Sequence, residues 1–171
     1  MDKYKKLIGA ITSKRKKTDA DYAEIARLEF IAGLYFDKDK GPIVPSRCIR
    51  KMLIEAARKD KNGKQFESGV FVAGDSVLEY DGPREIEPLF LAENGDGENR
   101  FVWTTVVGNQ RNSIMRTRPI FHEWSCEFEV DLEPSLVDQQ TFETALEKAR
   151  VSGGLLDARS IGYGKFSPTV L

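Results

Sequence analysis

Histidine occurs once in this chain and cysteine twice, and no apolar run approaches the roughly 20 residues that cross a membrane as a helix. One histidine rules out a two-histidine active site or a histidine-rich metal site. Cys48 and Cys126 are far apart and lack metal-type spacing, so the expectation is two buried thiols in a reducing compartment. Residues 1–19 are basic but carry neither a long apolar core nor a small-residue cleavage site. A secretory signal is therefore not expected, and the expected location is cytoplasmic. Excess charge is also missing. The net charge is −1, so any contact with nucleic acid must be a local basic patch offset by acid elsewhere. No Gly-x-x-x-x-Gly-Lys-Ser/Thr, Gly-x-Gly-x-x-Gly or Gly-x-Ser-x-Gly run occurs, which removes the usual support for phosphate-loop, dinucleotide and hydrolase readings.

The chain does have 171 residues, 40% of them hydrophobic and 31% charged, which suits one globular domain over 1–171 with a basic arm over about 1–20. Within that arm lies the run Lys14-Arg15-Lys16-Lys17, which reads either as a solvated loop or as a phosphate-binding arm. Thr18 or Asp19 is placed to cap a helix over about 21–28. An apolar stretch, 30–36, then meets the polar turn 37–41, and Pro42 and Pro45 keep the next residues extended. Ser46 reads as an N-cap. Behind it Cys48, Ile49, Met52, Leu53 and Ala56 recur at helical spacing, and Arg47, Arg50, Lys51 and Arg58 occupy the other face.

Beyond that helix, strand patterns dominate. Residues 68–80 read as a strand and turn, and 82–118 as a long hairpin ending in an arginine-rich loop. His122, Trp124, Cys126, Phe128, Val130 and Leu132 alternate with Glu123, Ser125, Glu127, Glu129 and Asp131, which predicts a long half-buried strand. A second amphipathic helix follows, with Phe142, Ala145, Leu146 and Ala149 on its apolar stripe, and residues 161–171 read as a last strand. This order predicts an α+β fold. Its expected form is a ferredoxin-like, RRM-like antiparallel sheet with two helices on one face.

Catalytic candidates are thin. His122 falls on the apolar parity of its strand and reads as a buried or partly buried structural side chain. The carboxylates of 123–131 lie on the wet face, where charge is expected anyway. Residues 93–99 lack the spacing of a calcium loop. Two features remain. Arg111, Arg116 and Arg118 cluster in a stretch with little acid, and arginine suits bidentate phosphate contact. The second is "SGGLLDARSIGYGKF", over 152–166. Gly153, Gly154, Gly162 and Gly164 would let main-chain amides approach phosphates, Arg159 and Lys165 supply charge, and Tyr163 can stack on a base. The alternative is a helix C-cap at Gly153 followed by a turn.

The segment Gly153, Gly154, Arg159, Gly162, Tyr163, Gly164, Lys165 and Phe166 resembles the C-terminal glycine-rich loop of the RAMP superfamily, the RNA-binding subunits of CRISPR effector complexes. "GPIVPSRCIRKMLIEAAR" resembles that superfamily's entry to its first helix, and "RTRPIFHEWSCEFEVDL" the strand before its second. The superfamily's opening strand is shortened here, replaced by a strand over 7–11 or 30–36, or missing. His122 matches none of its catalytic motifs, so no catalytic role carries over. The resemblance implies non-catalytic binding of single-stranded nucleic acid, RNA ahead of DNA. The implied contacts are Arg47, Arg50, Lys51, Arg111, Arg116, Arg118, Arg159 and Lys165 with the glycine-rich segment; no cofactor or metal is expected. Three other readings stay open: a phage-encoded mimic or inhibitor of such a nucleoprotein complex, or a self-associating subunit; a nucleotide-binding sponge; and a ribonuclease using His122.

Overall fold

A computed structural model describes residues 2–109 and 112–171. It is a mixed α+β structure whose strands pair only in small antiparallel sets. No helix among the described residues is long and apolar enough to cross a membrane. The chain divides into two compact units, residues 1–42 with 78–125 and residues 43–77 with 126–171.

The first unit opens with helix α1 (Asp2–Thr12) and helix α2 (Asp19–Gly33). Of the two cap candidates it is Thr18 that serves. Its hydroxyl accepts the Asp21 N–H, and the Asp21 carboxylate accepts the Thr18 N–H at 2.9 Å. Lys14 also donates to Asp21, and these partners hold that carboxyl down at about 2. α2 outruns its expected end because Phe30 and Ile31 join the core instead of starting a strand. Strand β1 (Phe36–Asp37) turns back to pair with Gly41 and Pro42 at the start of β2 (Gly41–Val44). A short helix over Ile86–Leu91 seats Leu89 against Phe30 and Phe101. Tyr80 meets Phe101 and Phe121 edge-on at 5.4 and 4.8 Å. The hairpin is shorter than expected: strands Val102–Asn109 and Asn112–Pro119 pair over eight register positions, from Val102 with Pro119 to Asn109 with Asn112.

In the second unit, helix α3 (Ser46–Ala57) follows Ile43 and Val44, which pair with Val77 and Ser76. Pro45, not Ser46, takes the cap position. The capping acceptor comes from a distance: Asp75 Oδ1 takes both the Ser46 N–H, at 2.8 Å, and its hydroxyl. Helix α4 (Gly63–Gly69) leads into β3 (Val70–Val72), which pairs with β4 (Val130–Leu132, so numbered within this unit). Helix α5 (Gln139–Lys148 of this unit) is capped by Asp138, whose carboxylate accepts the Thr141 N–H at 2.7 Å. Ile49, Leu53, Phe66, Val70, Val137 and Ala149 form the solvent-free centre. Burying each aliphatic or aromatic side chain contributes about 1.5–3 kcal/mol.

Several expectations are corrected. Among the described residues the strands pair in three separate antiparallel sets, of three, two and two strands, and not in one ferredoxin-like sheet. Of the long strand foreseen at 122–132, only Val130–Leu132 is paired in a ladder, although Ser125 bridges Glu79. The foreseen alternation survives from 123 onward: Trp124, Cys126, Phe128, Val130 and Leu132 are half-buried and their neighbours exposed. Side-chain parity fixes an extended backbone, but a ladder also needs a partner strand. His122 is exposed, not buried, and both cysteines are half-buried free thiols. Burial pushes the Cys126 thiol up, away from reactivity. Residues 161–171 contain no strand; a short 3₁₀ turn, Arg159–Ile161, precedes an irregular tail.

Candidate functional site

Helix α3 carries the site because its sequence separates two faces. Ile49, Leu53 and Ala56 are buried. Arg47, Lys51, Glu55 and Arg58 recur at intervals of four, four and three, which stacks them along the opposite side. Arg47, Arg50, Lys51 and Arg58 line an open groove of about 720 Å³ together with Glu55 and Glu67. The three helix residues expected to bind do converge, and Arg58 joins them.

Arg50 is held in place by neutral groups. Its Nε donates to the Val70 carbonyl at 3.0 Å, and an Nη donates to the Glu67 carbonyl. Carbonyls fix the guanidinium without cancelling its charge, so the groove wall has a rigid cationic point. Lys51 is 71% exposed and stands 3.8 Å from Glu55. Arg58 is 61% exposed and pairs with Glu67 at 2.6 Å. Exposed pairs of this kind are weak, so an incoming anion can replace the carboxylate at small cost. Arg159 reaches the same rim, its Nη1 lying 2.6 Å from Glu55 Oε2. The groove and its rim therefore hold five cations against two carboxylates.

The glycine-rich segment is placed beside this rim, but several of its amides are already bonded within the protein. Gly154 N–H donates to Ala149 and Leu155 N–H to the Gly164 carbonyl at 2.8 Å. Gly162 donates to Arg159, and Tyr163 to Ala158. The expected cradle of free amides is thus overturned for these residues. Gly153 ends a π-turn, Ala149–Gly153. Gly154, Gly162 and Gly164 have φ of +100°, +98° and +69°, and Leu156 and Ala158 are also left-handed. The glycines fold the chain back on itself and so bring Arg159 to Glu55. Lys165 is exposed, and its ammonium donates to the Val151 carbonyl at 3.0 Å. Tyr163 is exposed.

The hairpin arginines belong to the first unit. Arg116 pairs with Glu29 of α2, whose other carboxylate oxygen accepts the Thr117 N–H at 2.8 Å. Arg116 therefore clamps the hairpin. Arg118 sits opposite Trp103 in the hairpin register, and Arg111 lies outside the described residues. No group of three or more histidine, cysteine or acidic side chains among the described residues is placed to hold a metal ion. Sequence reasoning missed Glu55, Glu67 and Asp75. The spacing of Glu55 along the cationic face was legible, whereas Glu67 and Asp75 reach α3 through folding alone.

Fold and groove together define a mixed α+β protein with an open, cation-lined face on one helix. Comparison with protein-family models, curated proteins and solved structures returns no match.

Proposed function

We propose that this protein binds single-stranded nucleic acid without cleaving it, with phosphates seated in the groove along α3. The observation that carries this reading is the convergence of Arg47, Arg50, Lys51 and Arg58 on one open groove, with Arg50 fixed by two carbonyls. Guanidinium groups held in advance suit phosphate oxygens and lose little freedom on binding. The likeness of the terminal segment to the RAMP loop puts RNA ahead of DNA. Affinity of the full chain for a mixed-sequence single-stranded oligoribonucleotide is expected to fall steeply with salt. Arg47→Ala with Lys51→Ala should flatten the slope of log K against log salt by about 1.4, since each phosphate neutralised on a single strand contributes about 0.7. An unchanged slope and affinity would overturn the reading.

A second reading, self-association, is favoured by the hairpin. Val106 and Met115 face each other across the two strands and are 62% and 65% exposed. Large exposed apolar pairs mark contact surfaces. If copies associate through them, size-exclusion with light scattering gives a mass above 19.3 kDa, and Met115→Lys restores the monomer. A monomeric wild type at high concentration removes this reading.

A further inference from the structure

The most one-sided charge in the chain lies far from the groove in sequence. Residues 2–18 hold seven cations and a single acid, although the chain as a whole carries −1. The structure shows how that excess is presented. On α1, Tyr4, Ile8 and Ile11 are the half-buried positions, and the helix packs along α2. Their spacing of four and three makes one stripe. Lys3, Lys5 and Lys6 fall off it and are exposed. At the corner between the helices the chain bends at Arg15 and Lys16, and both side chains are exposed. Among the described residues no acidic side chain pairs with either. Asp21, the acid nearest in sequence that engages this corner, is already occupied: one oxygen takes Lys14, the other takes the Thr18 N–H and hydroxyl. Lys17 is drawn inward to the Lys14 carbonyl at 3.2 Å. The corner is therefore built so that two cations are tied to the fold and two stand outward beside a lysine-bearing helix.

We propose that the α1–α2 corner is a second contact for a nucleic-acid phosphate backbone, with Arg15 and Lys16 as the primary contacts and the α1 lysines adding attraction. The contact is made by side chains and not by the N-terminal amides of α2, because Asp19 and Asp21 already place negative charge in that first turn. A lipid surface would need an apolar face to insert beside the charge. The stripe of α1 is instead turned to α2, and Leu7 is the one large apolar side chain of α1 exposed among the described residues. An extended strand of phosphates asks only for accessible cations, which the corner supplies. This contact stands independently of the α3 groove.

The test uses the full chain, a fluorescent mixed-sequence single-stranded oligoribonucleotide, and anisotropy at several salt concentrations. Arg15→Glu with Lys16→Glu is expected to lower affinity about tenfold at low salt and to flatten the salt slope by at least about 1.4. Lys38→Glu with Lys40→Glu makes the same change in net charge at another exposed turn, and should cost less than roughly threefold. Equal losses in the two variants overturn the proposal, since net charge alone would then explain them. Arg47→Glu with Lys51→Glu is measured in parallel. A loss confined to that variant removes the corner and keeps the groove; a loss confined to the corner variant does the reverse. Anionic phosphatidylserine vesicles provide the last arm. If the corner variant loses vesicle binding while keeping its RNA affinity, the partner is a membrane and the proposal falls. Thermal unfolding checks that each variant is folded, and Arg15→Ala with Lys16→Ala replaces the reversal if it is not.

Discussion

Gly164→Ala is expected to lower the unfolding midpoint by about 10 °C, whereas Gly162→Ala, two residues earlier, costs about 3 °C. Both glycines have positive φ, so both substitutions incur the conformational penalty of roughly 1–2 kcal/mol for an L side chain. Space separates them. A Cβ on Gly162 meets nothing within 4 Å, while a Cβ on Gly164 lies 2.0 Å from the Leu155 carbonyl oxygen and 2.8 Å from its nitrogen. Backbone cannot yield as a flexible side-chain tip does. The hydrogen bond from Leu155 N–H to the Gly164 carbonyl must break, and Leu155, now buried, must move outward. Displacing a buried leucine adds about 2 kcal/mol or more. The fold-back also sets Arg159 beside Glu55, so Gly164→Ala should weaken RNA binding more than Gly162→Ala does. Equal midpoints for the two variants, followed by calorimetry, would refute this account of the segment.

Glu29→Ala should destabilise the protein by about 2–4 kcal/mol and loosen the hairpin, with little change in RNA affinity. The Glu29 side chain is 8% exposed and serves two donors, the Arg116 guanidinium and the Thr117 N–H. Thr117 is itself buried, so its amide loses its acceptor without gaining water. Arg116→Ala leaves the carboxylate with one donor and should cost about 2 kcal/mol. Because the two side chains are partners, the double variant should cost less than the sum of the singles. The informative contrast is binding. If Arg116 is a clamp, Arg116→Ala lowers the melting temperature and keeps RNA affinity. A large loss of affinity with unchanged stability would return Arg116 to the phosphate-binding set and sink the clamp.

The helices were the most legible part of the fold. The periodic apolar stripe of α3 and the basic residues on its other side were read correctly, and the cap of α2 is one of the two residues foreseen, Thr18. Strand pairing was the least legible. Residues 123–132 show the foreseen alternation in burial, yet few of them join a ladder. Alternation reports which side of an extended chain is wet, and many backbone arrangements satisfy that. The glycine-rich segment misled for a related reason. Glycine density announces tight backbone, but the partner of that backbone is the protein's own carbonyls.

What the amino-acid order decides alone is therefore local: where helices begin, which of their faces are apolar, and where cations run together at 14–17 and along 47–58. What only the folded chain decides is which charges are spent. Glu29 takes Arg116 and Glu55 takes Arg159, each across a separation that no short-range pattern encodes. Periodicity acts over a few residues, whereas an ion pair depends on where whole elements come to rest. That is why the cationic face of α3 could be seen in the sequence, while the groove it lines could not.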